Sequence, residues 1–597
     1  MPGIVGFISK YPRPGAASQL LKMLKTIDRE PFYTSGTLED EALGLHVGWT
    51  AIKGSFSEKM PLYEPQKQVS LVFSGEDYSH SGAQGCACQA QYLADMYERD
   101  PNFLSSLNGM FHGLIADRAR GIISLFNDRY GMHRLCYHES PDCFYFASEA
   151  KAILAVCPEL RVVDHRSVGE FVACSCVLEN RTIFQDIHVL PAASNWTFRN
   201  GHCESKSSYF APKEWEAQEL LSEEAYYEEL RSTLLRRLPH YFSGSQRLGI
   251  AITGGLDTRV ILACHPPSPG SLPSYTFGSM FRDSQDVRIG RKIARMLKQP
   301  HSVIEVGNKF LQDFANYADQ TVDLTEGTVD VYRASDLYVS ARVREIAPAK
   351  IVGTYGSEIV CQMAMFKPMQ PAAGLFHQGF LAQVQAAAET YQALRNQHPV
   401  TFAAFSQSPW YHHGILAIEQ SQLTVRSPFM DNEFVRAVYR APVGSVSRGD
   451  VRLRLIADQS PQLGRVHSDR GVGGKAGVAS LFLRGSREFS FKAEYAYDYG
   501  MPQSIVRVDH ALSRLHLERL FLGRHKLTHF RVWYRDQLSD YVRQILLDPL
   551  TLSRPYLRRT ALEAMVRSHL NGTENHTMAI HKLLSLELVQ RRLLSSN

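Results

Sequence analysis

Three observations in the sequence predict an α/β protein built in two parts. Short apolar segments separated by turns fill the first third, as expected for a mixed domain with mostly antiparallel sheet. After a polar connector at Ala211-Pro-Lys213 the rhythm changes to strand, helix, strand, which is the signature of a parallel doubly wound sheet. Glycine turns then follow two of those strands, after Ile252 and after Val352, where the ligands of such sheets bind.

Taken in order, the strands expected before Phe210 are Gly3–Phe7, Val69–Phe73, Phe111–Ile115, Gly121–Leu125 and Cys143–Ala147, with helices over Ala16–Thr26 and Gln89–Glu98. Ser222 is placed to cap a helix whose first turn carries Glu223 and Glu224 and which Pro239 should stop. Strands are then expected over Leu248–Ile252, Ser274–Phe277, Ser302–Glu305 and Lys350–Gly353. Helices are expected over Thr258–Cys264, Asp286–Leu297 and Val331–Ile346. From about Phe376 onward the chain reads as helices alone. The boundaries drawn are 1–210 and 211–597.

Bulk properties exclude several classes. A chain of 597 residues that is 44% hydrophobic has ample core for two or three domains and is neither fibrous nor disordered. A net charge of +5 is too small for that length to demand nucleic acid, and the arginines at 452, 454, 465, 470, 484 and 487 read as solvated helix faces. The 10 cysteines show no Cys-x-x-Cys spacing, and Cys86-x-Cys88 and Cys174-x-Cys176 are too close for a zinc site. A reducing cytoplasm suits them. No apolar run approaches membrane-span length, and the N-terminus lacks a basic leader, so a soluble, untargeted, cytoplasmic protein without a membrane partner is expected.

The segment Thr253-Gly254-Gly255-Leu256-Asp257-Thr258 carries the chemistry. The glycines let backbone N–H groups approach a phosphate, Thr253 and Thr258 add hydroxyl donors, and Asp257 can hold the Mg²⁺ that accompanies ATP. A helix starting near Thr258 would aim its positive end at the same anion. The Gly-Lys-Ser/Thr ending of a Walker loop is absent. The turn instead resembles the Ser-Gly-Gly-x-Asp-Ser loop of the ATP pyrophosphatases, which leave AMP on a substrate.

Other segments extend the resemblance. Gly3-Ile-Val-Gly-Phe7, Ser74-Gly75-Glu76, Leu107-Asn-Gly-Met-Phe111, Asn127-Asp128-Arg129-Tyr-Gly131 and Phe146-Ala-Ser-Glu149-Ala-Lys151 occur in the order of the landmarks of class II glutamine amidotransferases. Together with the pyrophosphatase loop, the whole looks like the asparagine synthetase architecture. The resemblance implies an N-terminal αββα sandwich of the amidotransferase type joined to an ATP-pyrophosphatase sheet with a helical extension. Departures restrict its chemistry. The family's nucleophile is the Cys exposed by loss of the initiator Met, whereas this chain has Pro2. Ser74 stands for the oxyanion Asn, Gln89 and Gln91 lie where acids are expected, and the Arg-rich segment has become Leu45-His-Val-Gly48. The N-terminal domain is therefore expected not to release ammonia from glutamine.

In the second half, Gly278, Ser279, Asp283, Asp286 and His301 resemble the segments around the second and third strands, and Arg426-Ser-Pro-Phe-Met-Asp431 resembles a structural support. Gly353-Thr-Tyr355-Gly356-Ser357-Glu358 corresponds to the second ATP loop, with Glu358 in place of the metal-binding Asp. In β-lactam synthetases a Tyr before that loop pairs with a Glu some thirty residues later. Tyr355 and Glu389 fit that pattern as a proton-accepting pair, although Glu389 equally fits a surface position. The family's transition-state lysine has no exact match, leaving Lys475 and Arg470 as candidates.

The reaction implied is carboxylate adenylation by Mg²⁺–ATP followed by amide formation. Without a glutaminase, intramolecular closure gains effective molarity, and the chain length suits a lasso-peptide macrolactam synthetase acting with a precursor-binding protein and a leader peptidase. The alternatives are an asparagine-synthetase-like ligase using ammonia or a small amine, and an ATP-binding scaffold without turnover.

Overall fold

The computed structural model describes the chain apart from residues 65–67, 80–89, 101, 445–449, 474–477, 501–505, 507–509, 511–517, 519–521 and 596–597, and the side chains of 478–484. Gln89, Lys475, Cys86 and Cys88 therefore lie outside the described residues.

The first part contains β1 (Gly3–Ser9), β2 (Tyr33–Asp40), β3 (Leu45–Ile52), β4 (Leu62–Glu64), β5 (Val69–Asp77), β6 (Gly109–Asp117), β7 (Ile122–Asn127), β8 (Cys136–Glu139), β9 (Cys143–Ala147), β10 (His188–Val189), β11 (Ser194–Arg199) and β12 (His202–Ser208). They form two antiparallel sheets ordered β10-β8-β9-β1-β3-β2 and β12-β11-β7-β6-β5-β4. Alternation decides how they stack. Ile4 and Ile8 of β1, Leu45, Val47 and Trp49 of β3, and Phe144 and Phe146 of β9 turn inward to meet Leu71, Phe73, Phe111 and Phe126 of the second sheet. The opposite face of the first sheet, with Val5, Phe7, Tyr145 and Ala147, buries against the helices Ala16–Ile27 and Ala150–Leu154. Pairing β1 with β3 and β9 places Pro2 at the sheet's entrance, beside Ser74 and Glu76 of β5.

Ser222 caps the following helix, its hydroxyl accepting the Ala225 N–H at 3.3 Å. Pro239 does not stop that helix, which runs over Glu223–Phe242. A proline so near the C-terminal end removes one hydrogen bond without needing to continue the helix for long.

The second part has β13 (Leu248–Ala251), β14 (Ser274–Ser279), β15 (His301–Val306), β16 (Ala349–Ile351) and β17 (Thr424–Arg426), all parallel, in the order β15-β14-β13-β16-β17. The chain enters at the centre, winds outward through β14 and β15, then returns to lay β16 on the other side of β13. The switch point thus lies between β13 and β16, at their carboxyl ends, where the two glycine loops emerge. The expectation of helices alone beyond Phe376 is corrected by β17, whose three residues are too few to show a strand period. The candidate support segment supplies this strand and the turn after it.

The two parts share a broad interface. The helix His165–Cys174 packs along Gln378–Arg395, and Gly169 is the point of closest approach, since a Cβ there would fall 2.7 Å from the Gln383 carbonyl carbon. Among the described residues no helix is long and apolar enough to cross a membrane.

Candidate functional site

Two loops that are almost 100 residues apart in sequence meet at the switch point. Asp257 opens the helix Asp257–Cys264, and its side chain lies against Gly353 and Gly356. A Cβ on Gly353 would come within 2.7 Å of the Thr258 nitrogen, and one on Gly356 within 2.7 Å of the Asp257 carboxyl carbon. Those glycines therefore serve loop-on-loop packing. The Asp257 carboxylate accepts the Ser357 hydroxyl at 2.8 Å and a short bond from Arg452 Nη1. Burial raises its pKa against the pull of Arg452 and Ser357, and the neighbouring Glu358 carboxylate adds to the rise. The Asp257 carboxylate, the Ser357 hydroxyl bonded to it and the nearby Glu358 carboxylate are hard oxygen donors of the kind Mg²⁺ takes. Among the described residues no group of three or more His, Cys, Asp or Glu is arranged to hold a metal ion, so an ion here would complete its shell from phosphate and water.

The first loop departs from the expectation of free backbone donors. Gly254 N–H donates to Asp286 Oδ1 at 2.8 Å, and Gly255 N–H to the Thr253 hydroxyl at 3.3 Å. Asp469 lies on the other side of Gly254, its N–H donating to the Gly254 carbonyl at 3.2 Å. Burial, then the charge of Asp469, pushes the Asp286 carboxyl up to about 6. Beneath the loop, the buried Arg259 donates to the Gly254 carbonyl at 2.8 Å and to the carbonyls of Val466 and His467. Arg259 thereby fixes the segment 465–470 over the loop. Leu256 and Thr258 flank Asp257 and are partly exposed.

Gly278 and Ser279 end β14 beside this site. Their roles include local packing: a Cβ on Gly278 would strike Val303, and the Ser279 hydroxyl accepts the Phe281 N–H at 3.3 Å.

Glu358 is buried and lies 3.2 Å from His412 Nε2. Tyr355 precedes it with φ 77°, a left-handed conformation that costs a non-glycine residue about 1–2 kcal/mol. Its buried ring packs edge-on against His412, with centroids 5.1 Å apart. Burial holds its phenol well above the ordinary tyrosine range, and the charges of Glu419 and Glu358 act in the same direction.

The pairing of Tyr355 with Glu389 is not present. Glu389 is exposed on the helix Gln378–Arg395, which faces the N-terminal domain. Spacing along the chain gave the right separation but not the direction of that helix. Arg470 is likewise exposed and stacks over Phe491 at 4.3 Å.

Arg452 is not the solvated arginine that composition predicts. It is buried, donates to Ser357 Oγ at 2.7 Å, and binds Asp450 through two bonds of 2.8 and 2.6 Å. The signal was its place in the first turn of the helix Val451–Gln459, where a cation opposes the helix dipole and needs an anionic partner. Arg454 does follow the expectation, pairing with Glu224 at the surface.

In the N-terminal part, Pro2, Ser74, Glu76, Tyr78 and His133 line a cavity of about 60 Å³. The Ser74 hydroxyl lies 3.1 Å from His133 Nε2, and His133 stacks on His112 at 4.2 Å. Burial pulls His112 down to about 4 and His133 well below its usual value. Glu76 is engaged by Arg426 through bonds of 2.8 and 2.9 Å. Asp431 accepts from Asn108 at 2.6 Å and from Arg237 at 2.9 Å. The support segment Arg426–Asp431 thus joins the two parts.

Residues 1–210 match the glutamine amidotransferase domain family. The chain is 23% identical to an asparagine synthetase (glutamine-hydrolysing) of Bacillus subtilis over 50% of its own length and 49% of the relative's. It is 22% identical to a probable asparagine synthetase of Schizosaccharomyces pombe and to asparagine synthetase B of Escherichia coli, covering 66% and 64% of those proteins. The matches thus span from about half to just under two thirds of the relatives' length. Among solved structures, the glutamine phosphoribosylpyrophosphate amidotransferase of B. subtilis aligns with 52% of the chain and 67% of its own, at 11% identity and a TM-score of 0.26. Over those stretches the chain is similar in sequence to the asparagine synthetases.

Proposed function

We propose that this protein is an ATP-dependent, AMP-forming amide ligase of asparagine-synthetase type that takes ammonia or a small amine as its nitrogen source. The observation that carries the reading is the convergence of Asp257, Ser357 and Glu358 at the switch point of the parallel sheet. Bound Mg²⁺ would be held by the Asp257 and Glu358 carboxylates and would offset phosphate charge. The helix Asp257–Cys264 points its N-terminus at the same place. Adenylation joins a substrate carboxylate to the α-phosphate of ATP and breaks the α–β phosphoanhydride bond, releasing pyrophosphate; an amine then attacks the acyl carbon and AMP leaves.

The N-terminal part supports this choice of nitrogen source. Pro2 offers no thiol, Ser74 is bonded to His133, and Glu76 is committed to Arg426. Among the described residues a glutamine would meet no thiol at Pro2 and a Glu76 already engaged by Arg426, which supports nitrogen arriving from outside. The narrower reading, macrolactam closure within a peptide, rests on Tyr355 and Glu389 acting together. With Glu389 exposed, Tyr355 alone supports it.

Incubation with ATP, Mg²⁺, ammonium and a panel of small acids tests the proposal by AMP release and amide formation. Ammonium-dependent product from a small acid supports it. Product only with a candidate precursor peptide would favour the macrolactam reading, and ATP binding without AMP release under any condition would leave a scaffold.

A further inference from the structure

The donor set at the switch point already contains a cation. Both oxygens of Asp257 are engaged, Oδ2 by the Ser357 hydroxyl at 2.8 Å and Oδ1 by Arg452. The same Arg452 nitrogen donates to Ser357 Oγ at 2.7 Å, so one guanidinium edge spans the two loops. Its other edge is held by Asp450 at 2.8 and 2.6 Å. Asp450 is itself fixed, because its side chain caps the helix Val451–Gln459 by accepting the Arg452 N–H at 3.1 Å.

From this arrangement we infer that Arg452 guards the metal position, so that free divalent cations are excluded and metal enters only together with nucleotide. The inference rests on the nucleotide site proposed above. Its physical basis is occupancy. Mg²⁺ demands near-octahedral oxygen ligands and gives up water reluctantly. At Asp257 it would have to displace a charge-assisted bond and leave a buried guanidinium with one partner fewer, which is costly in a low-dielectric site. Nucleotide removes that obstacle by bringing anionic oxygens for the guanidinium, which suits planar bidentate recognition of phosphate. Asp450 keeps Arg452 tethered while its Asp257-facing edge changes partner. The carboxylate is then released to metal at the moment phosphate is present to share it.

The test measures Mn²⁺ uptake by the full-length protein with electron paramagnetic resonance, first with Mn²⁺ alone and then with α,β-methylene ATP. Wild type should take up Mn²⁺ weakly by itself and stoichiometrically with the analogue. Arg452→Gln should bind Mn²⁺ alone roughly tenfold tighter or more, and adding Asp257→Asn should abolish that gain. Asp450→Asn leaves Asp257 as the only carboxylate on the guanidinium, so it should weaken uptake of Mn²⁺ alone by a smaller factor, a comparison that stands even if Arg452→Gln folds poorly. Equal uptake of free Mn²⁺ by wild type and both variants overturns the inference. Failure of wild type to bind Mn²⁺ with the analogue would instead overturn the nucleotide reading, a result distinguishable because the Mn²⁺-only comparison is read independently.

Discussion

Arg426 and Glu76 face each other across the two halves of the molecule, joined by paired bonds of 2.8 and 2.9 Å, with both side chains buried. The carboxylate belongs to the amidotransferase-like sheet and the guanidinium to the edge strand of the parallel sheet, next to the support turn. This ion pair therefore ties a residue lining the N-terminal pocket to the parallel sheet. Arg426→Ala leaves Glu76 charged in a closed interface, a loss expected to cost about 3–5 kcal/mol. Against a typical stability of about 5–15 kcal/mol that is a large fraction. Urea unfolding should show it as a lowered midpoint; a change of under about 1 kcal/mol would mean that the pair is solvated and dispensable.

A second interdomain carboxyl gives the protein a pH dependence. Glu326 accepts the Lys151 N–H at 2.6 Å, and burial, reinforced by the charge of Glu149, raises its pKa from 4.5 to about 7. Glu149 is held down at about 2: burial opposes ionisation there, but Arg29, Lys151 and the Met1 ammonium outweigh it. Between about 4.5 and 7 the folded state keeps a proton on Glu326 that the unfolded chain has lost, so this group's stability contribution falls as pH rises through that window. Glu326→Gln should be nearly neutral at pH 4 and more stable than wild type by up to about 3 kcal/mol at pH 8. A stability difference that does not change between those pH values would show that Glu326 titrates normally.

Position 2 carries no thiol and the side chains around it are already engaged, so introducing a thiol should not suffice for glutamine hydrolysis. Pro2→Cys is expected to release no glutamate from glutamine, because Glu76 stays committed to Arg426 and Ser74 to His133. Measurable glutamine hydrolysis by that variant would show that the binding subsite survives.

Burial raises the Tyr355 phenol well above the ordinary range and Glu389 is exposed on another helix, which favours a packing role for Tyr355 over that of a base. Tyr355→Phe should therefore change both adenylation and amide formation by less than about tenfold. A loss of roughly 10²–10⁴ confined to amide formation would restore the proton-transfer role.

Local pattern carried much of the architecture. The glycine turn at Thr253–Thr258 and the alternation in β1 and β9 were readable because packing demands act on residues close in sequence. What escaped depends on long-range placement. Three residues at Thr424–Arg426 are too short to announce a strand, and Glu389 lies at the right spacing on the wrong face. The loop glycines at 353 and 356 were legible as special, but their reason, contact with Asp257, appears only when β13 and β16 pair. Arg452 escaped because composition treats every arginine as solvent-loving, whereas its helix-start position already called for an acid.

Carboxylate-dependent exchange between labelled pyrophosphate and ATP tests the central claim most directly, since it reports adenylation without requiring the final amine. The account predicts exchange in wild type with at least one carboxylic acid, and its loss in Asp257→Ala, where the shared carboxylate of the two loops is gone. Undiminished exchange in Asp257→Ala would contradict it, because the convergence at the switch point would then have no part in the chemistry.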